Sequence, residues 1–220
     1  MRYRRPRVIR KATWPENQPL LTLMNKLCFG PKPRHAIALR LAGVLGDLGE
    51  FFAYRLLAAC YDYGTGVRRD VGKACEFWAK ASKLGDPYSQ ALLAYSYDRG
   101  RGVKADKKRA LYWYRRAARA GSADAQYNLA QMYDSGETVR KNRVTAVRWW
   151  TKAANAGHPE AQCNLGVAFE NGSGVRKDAR AALRWYMQAA RQGDKLAHKN
   201  HERLKRMLMA QKSSRHSQHS

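Results

Sequence analysis

A chain of 220 residues that is 45% hydrophobic has the apolar content of a folded protein, which excludes wholesale disorder. Its 42 Lys and Arg against 17 Asp and Glu leave a formal net charge of +25, a field that attracts polyanions: nucleic acid, anionic lipid or an acidic protein. No run approaches the roughly 18 apolar residues of a membrane span, and the stretch from Leu20 to Met24 is too short and too late for a secretory signal.

Residues 1–35 read as a basic, largely disordered arm: ten Lys or Arg fall in residues 1–40 against one acid, Glu16. The expected location is cytoplasmic, and an Arg-rich, acid-poor start makes organelle targeting the alternative. Residues 37–49 align with a helix of the segment that follows, 73–85, and 36–48 read as a degenerate N-capping helix.

From there glycine recurs every 36 residues, at Gly49, Gly85, Gly121, Gly157 and Gly193, with Gly64, Gly100, Gly136 and Gly172 in phase. A fixed period of this size is the signature of stacked supersecondary units. Residues 49–193 therefore hold four repeats, 49–84, 85–120, 121–156 and 157–192. Counting from each opening glycine, position 5 is small (Ala53, Ser89, Ala125, Ala161). Position 9 is Leu57, Leu93, Leu129, Leu165, and position 13 is aromatic (Tyr61, Tyr97, Tyr133, Phe169). That spacing is one stripe of a helix, A. A Gly-rich turn follows, and Asp70, Asp106, Asn142 and Asp178 stand where a side-chain oxygen caps the next helix, B. Helix B alternates Ala (74, 110, 146, 182, then 81, 117, 153, 189) with paired aromatics: Phe77–Trp78, Trp113–Tyr114, Trp149–Trp150 and Trp185–Tyr186. Helices of about 12–15 residues are unstable alone in water, so stacking must hold them. In the third turn Thr138 stands where the other copies have a second glycine, and this turn is expected to be the least regular.

Residues 194–210 read as a C-terminal capping helix, with Leu196, Ala197, Leu204, Met207 and Leu208 inward and Lys199, Arg203, Lys205 and Arg206 outward; 211–220 read as a disordered tail. Cys28, Cys60, Cys75 and Cys163 have no metal spacing and occupy different repeat positions, which fits a reducing compartment; a Cys60–Cys75 bridge stays open.

Residues 123–133 and 160–190, with their A stripe, Gly-x-Gly turn and B aromatics, resemble the Sel1-like repeat family, a relative of the tetratricopeptide repeats. The resemblance implies an all-α fold, an α/α solenoid of antiparallel helix pairs wound as a right-handed superhelix. It also implies assembly of protein complexes.

The acids fall in recurring columns (Asp62, Asp98, Asp134, Glu170; Asp70, Asp106, Asp178), as structural roles predict, so no catalytic residue and no cofactor is expected. His198 and His201 could share a helix face, but a polar capping helix explains them, and no metal is expected. Two surfaces remain. Positions 7, 8, 11 and 15 of helix A vary between copies, and the concave groove they line is expected to take a protein or peptide segment through Arg55, Tyr95, Arg99, Tyr127, Asn128, Gln131 and Asn164. Position 20 is always basic (Arg68, Lys104, Arg140, Arg176). This turn edge, with the basic ends, supplies the alternative function of nucleic-acid or anionic-surface binding.

Overall fold

The computed structural model describes residues 34–48 and 50–217, together with Leu23, Lys26 and Leu27. Most of the expected arm 1–35, the glycine at 49 and the tail's last residues, 218–220, lie outside the described residues, as do the side chains of 212–217. The described residues form helices with no strand, in two compact units, Met1–Leu84 and Gly85–Ser220.

The first unit holds α1 (His35–Asp47), α2 (Phe51–Tyr63) and α3 (Val71–Lys83). Ala38, Ala42 and Leu45 of α1 pack on Phe52, Ala53, Leu56, Leu57 and Cys60 of α2, and Phe77 of α3 closes the cluster. The approach of α1 to α2 depends on Gly46: a Cβ there would lie 2.1 Å from the Tyr54 ring, whose hydroxyl donates to Asp47 Oδ1 at 3.1 Å. Cys60 and Cys75 are buried thiols.

The second unit holds α4 (Pro87–Arg99), α5 (Lys107–Arg119), α6 (Ala123–Ser135), α7 (Arg143–Asn155), α8 (Pro159–Asn171), α9 (Ala179–Arg191) and α10 (Lys195–Ser217). Each helix packs on the next, and α10 also touches α8. Each of the helices α1 to α9 has 13 residues. The column residues explain this regularity. Ala125, Ala161, Leu93, Leu129, Leu165, Ala110, Ala146, Ala182, Tyr114 and Tyr186 are all buried, so each helix presents its small residues to its neighbours' large ones.

Capping sets both ends. Asp70, Asp106, Asn142 and Asp178 each accept from the backbone N–H three residues on, as their position predicts. The same four residues donate their own N–H back to Tyr61, Tyr97, Tyr133 and Phe169 carbonyls at 2.8–2.9 Å, so every A-to-B turn closes alike. A second series caps the A helices: Asp86, Ser122, His158 Nδ1 and Asp194 accept from Ser89, Ala125, Ala161 and Ala197.

The third turn is the irregular one. Three turns carry a bond from the residue after the first glycine to the carbonyl five back: Thr65 to Cys60, Arg101 to Ser96, Ser173 to Ala168. In the third, Glu137 N–H instead donates to Ser135 Oγ at 3.4 Å. Gly66, Gly102 and Gly174 have φ near +70°, whereas no non-glycine described has positive φ. Thr138 is thus not forced into the left-handed region; the chain takes another path around it.

The last helix departs from expectation at both ends of its sequence. It continues to Ser217, beyond residue 210. Its inward side is Ala197, Leu204 and Leu208, whereas Leu196 and Met207 are exposed, because Ala197 and Leu204 take the places against Tyr186 and Ala189.

Candidate functional site

The variable face of the A helices lies on α6 and α8 in the second unit. Tyr127 is half-buried and its ring stacks on the His158 imidazole at 4.6 Å. Gln131 Nε2 reaches the Tyr127 hydroxyl at 3.5 Å, and Asn164 Nδ2 donates to Gln131 Oε1 at 3.3 Å across 33 residues of sequence. One connected polar set therefore joins two neighbouring repeats. His158 is fixed beneath it. Its Nδ1 accepts the capping N–H of Ala161, which leaves the proton on Nε2, 3.4 Å from Asp124 Oδ1. Glu160 Oε2 lies 3.4 Å from Nδ1, so two exposed carboxylates rim the set. Burial, and next the Glu160 charge, raise the Tyr127 hydroxyl above the usual phenol value, so it is a neutral donor and acceptor.

The other expected contacts are arranged differently. Asn128 turns back on its own helix, donating to the Asp124 carbonyl at 2.8 Å. Tyr95 is half-buried on α4 against the core of α4–α6, and Arg99 is exposed and pairs with Asp98 at 3.2 Å. Arg55 stands half-buried in the first unit. Position 7 is not a face position throughout: Ala91 and Cys163 are buried, as is Leu56 at position 8, so the exposed strip is narrower than the columns imply. Burial pushes the Cys163 thiol up to about 11, with Asp194 and Glu160 adding to it; a neutral thiol under this face is a poor nucleophile.

The turn-edge cations Arg68, Lys104, Arg140 and Arg176 are all exposed. Their neighbour Arg69 has a structural role, its Nε donating to the Asp62 carbonyl at 2.9 Å. On α10, His201 Nδ1 lies 3.1 Å from Glu202, and among the described residues no three metal-ligating side chains converge. No described helix is long and apolar enough to cross a membrane.

Two members of this geometry escaped the sequence reading. His158 belongs to the A-helix cap series, visible as Asp86, Ser122, His158 and Asp194 three residues ahead of the small position-5 column in the repeats and of Ala197 in the last helix. Arg203 faces solvent, as expected, and also pairs with Glu170 across 33 residues, which the sequence did not reveal.

Helix pairs of one length, closed by one turn and capped at fixed columns, define an α/α solenoid repeat protein. The chain belongs to the Sel1 repeat family, whose sequence profile matches residues 52–86, 87–122, 123–158 and 159–194. It is similar in structure to a Sel1 repeat protein from Oxalobacter formigenes, with 31% identity and a TM-score of 0.72, covering 82% of this chain and 75% of that one. It is also similar to c5321, a protective antigen of uropathogenic Escherichia coli displaying an SLR fold: 28% identity, TM-score 0.75, covering 83% of this chain but 39% of the antigen. No curated protein matches the chain. Folds of this family commonly serve as protein-interaction scaffolds and are generally non-catalytic.

Proposed function

We propose that this chain is a non-catalytic scaffold that takes an extended segment of a partner protein across the A-helix face of its second unit, centred on Tyr127, Gln131 and Asn164. The observation that carries this reading is the cross-repeat link from Asn164 to Gln131 to Tyr127. Side chains that vary between otherwise constant repeats are held in place before any partner arrives, which lowers the entropy cost of binding. Carboxamides carry both donors and acceptors, as the backbone of an extended peptide requires. Tyr127 supplies a rigid aromatic surface of the kind that dominates interface energetics. Tyr95, Arg99 and Asn128 extend the contact along α4 and α6, and Arg55 offers a separate contact on the first unit.

Peptides selected from a random display library against the full chain test this. Tyr127→Ala with Asn164→Ala is expected to weaken the selected peptides at least 10-fold, about 1.4 kcal/mol, while the chain remains helical and cooperatively folded. Selected peptides indifferent to this pair and to Tyr95→Ala would remove the face from consideration.

A further inference from the structure

We propose that the B-helix face of the second unit is a binding surface for single-stranded nucleic acid, a site separate from the A-helix face. Helix α5 carries six Lys or Arg, and α7 and α9 carry three each; the three helices carry no carboxylate. Four of these cations are tied to residues outside the B helices. Lys107 pairs with Asp98 at 2.7 Å, Arg109 with Asp106 and Arg143 with Asp134, and Arg115 donates to the Tyr133 hydroxyl. The other eight are Lys108, Arg116, Arg119, Arg148, Lys152, Arg180, Arg184 and Arg191, all exposed, and none of them makes an ion pair among the described residues.

These eight fall on one side of their helices. In each B helix the buried alanine and aromatic columns face inward, and the opposite stripe runs i, i+4, i+8, i+11. On α5 it reads Lys108, Tyr112, Arg116, Arg119; on α7 Val144, Arg148, Lys152, Asn155; on α9 Arg180, Arg184, Gln188, Arg191. The stripes are neighbours, because Trp149 of α7 packs on the core holding Tyr114 and Ala118 of α5, and Trp185 of α9 packs on the core holding Val147 and Trp150 of α7. Each stripe is about 16 Å long at 1.5 Å per residue. Like charges at i, i+4, such as Arg148 with Lys152 and Arg180 with Arg184, oppose the fold they sit on. Arg116 donates to the Tyr112 hydroxyl at 2.9 Å and lies over the Trp113 ring, and Lys152 lies over Trp149, but these contacts leave the charge unbalanced. The first unit's B helix differs: Glu76 stands in the column of Arg148 and Arg184.

Charge complementarity therefore calls for a polyanion, and two features favour nucleic acid over a lipid surface or an acidic protein. Six of the eight cations are arginines, whose planar forks match phosphate oxygens. The face also carries an exposed aromatic ring, Tyr112, among its cations. Tyr112 is 52% exposed, sits edge-on to Trp113 at 5.0 Å and lies under Arg116. Cations over rings that bases can stack on are the elements of sequence-tolerant single-strand binding.

The test is fluorescence anisotropy of the full chain with labelled oligo(dT) and oligo(U), across 50–200 mM salt, alongside vesicles containing phosphatidylserine. The triple change Arg116→Gln, Arg148→Gln, Arg184→Gln is expected to weaken the oligonucleotides more than 10-fold and to lower the log–log salt slope by about 2, at roughly 0.7 per phosphate contact. The matching triple change to Lys keeps the slope, and Tyr112→Ala weakens binding about 5-fold or more without altering it. A turn-edge triple, Lys104→Gln, Arg140→Gln, Arg176→Gln, has the smaller effect. The proposal is overturned if the B-face triple binds like the parent while retaining its melting temperature, if the turn-edge triple loses more, or if vesicles bind and oligonucleotides do not.

Discussion

The fourth repeat and the two before it share nearly every apolar column, yet they treat their buried polar atoms differently. In the fourth, the Tyr186 hydroxyl donates to Glu170 Oε2 at 2.8 Å, and Gln192 Nε2 donates to Gln162 Oε1 at 2.8 Å. In the second, the equivalent Tyr114 hydroxyl is buried without a hydrogen-bond partner; in the third, so are Gln126 Oε1 and Trp150 Nε1. The causes are local. Glu170 is one methylene longer than Asp98, which is already held by Lys107 and Arg99. Gly166 replaces the alanine of the other copies and admits the Tyr186 ring, 2.6 Å from where a Cβ would lie. Ala156 occupies the place of Gln192. Apolar columns fix how the repeats stack, whereas polar closure is settled repeat by repeat, at roughly 1–3 kcal/mol for each buried group left unpaired.

The sharpest way to break the equivalence of the copies is at the turns. A Cβ on Gly174 would meet the Arg143 carbonyl oxygen at 2.4 Å, and its φ is +74°. Gly174→Thr is therefore expected to cost about 3 kcal/mol, combining left-handed strain with a clash against backbone that cannot yield. Thr138→Gly, at the same column of the third repeat, is expected to change stability by about 1 kcal/mol or less, because that turn already runs on another path. Urea unfolding measures both. Equal costs would show that the third turn is not distinct.

A smaller effect separates the tyrosines. Tyr186→Phe removes a hydrogen bond to a carboxylate and is expected to cost about 2 kcal/mol, while Tyr114→Phe removes an orphaned hydroxyl and is expected to be neutral or stabilising. Burial, and next the Glu170 hydrogen bond, raise the Tyr186 hydroxyl well above the usual phenol range, so it stays protonated and the loss should not vary between pH 6 and 9. A comparable loss for both variants would mean that the Tyr114 hydroxyl is not orphaned and that the two repeats close their polar atoms alike.

These contrasts mark what could be read from the chain. The period, the buried columns, the B-helix caps and the odd third turn follow from residue identity at fixed spacing, because each depends on contacts within one repeat or between identical neighbours. The links made across repeats were not legible. Asn164 meets Gln131 and Arg203 meets Glu170 at a separation of 33 residues, three short of the period, which no column displays. Position 7 showed the same limit, since whether Tyr127 faces out and Cys163 inward depends on the neighbouring helix. The unpaired cations of the B helices were countable, but their gathering on one face needed the packing of Trp149 and Trp185.

The mildest change tests the comparison by repairing it. Gln126 Nε2 already donates to the Ala118 carbonyl at 3.1 Å, as Gln162 Nε2 does to Ala154, so the two side chains are posed alike. Only the donor to the outer oxygen is absent, and Ala156 is exposed at the end of α7, with room for a longer side chain. Ala156→Gln is expected to stabilise the protein by about 0.5–1 kcal/mol, the net value of one neutral hydrogen bond less the entropy of ordering a glutamine. Any gain from better surface propensity would survive removal of the acceptor, so the decisive measurement is a double-mutant cycle with Gln126→Met. If the repeats differ only in polar closure, the gain disappears in the Gln126→Met background; if it persists there, Ala156 acts through something other than the orphaned oxygen.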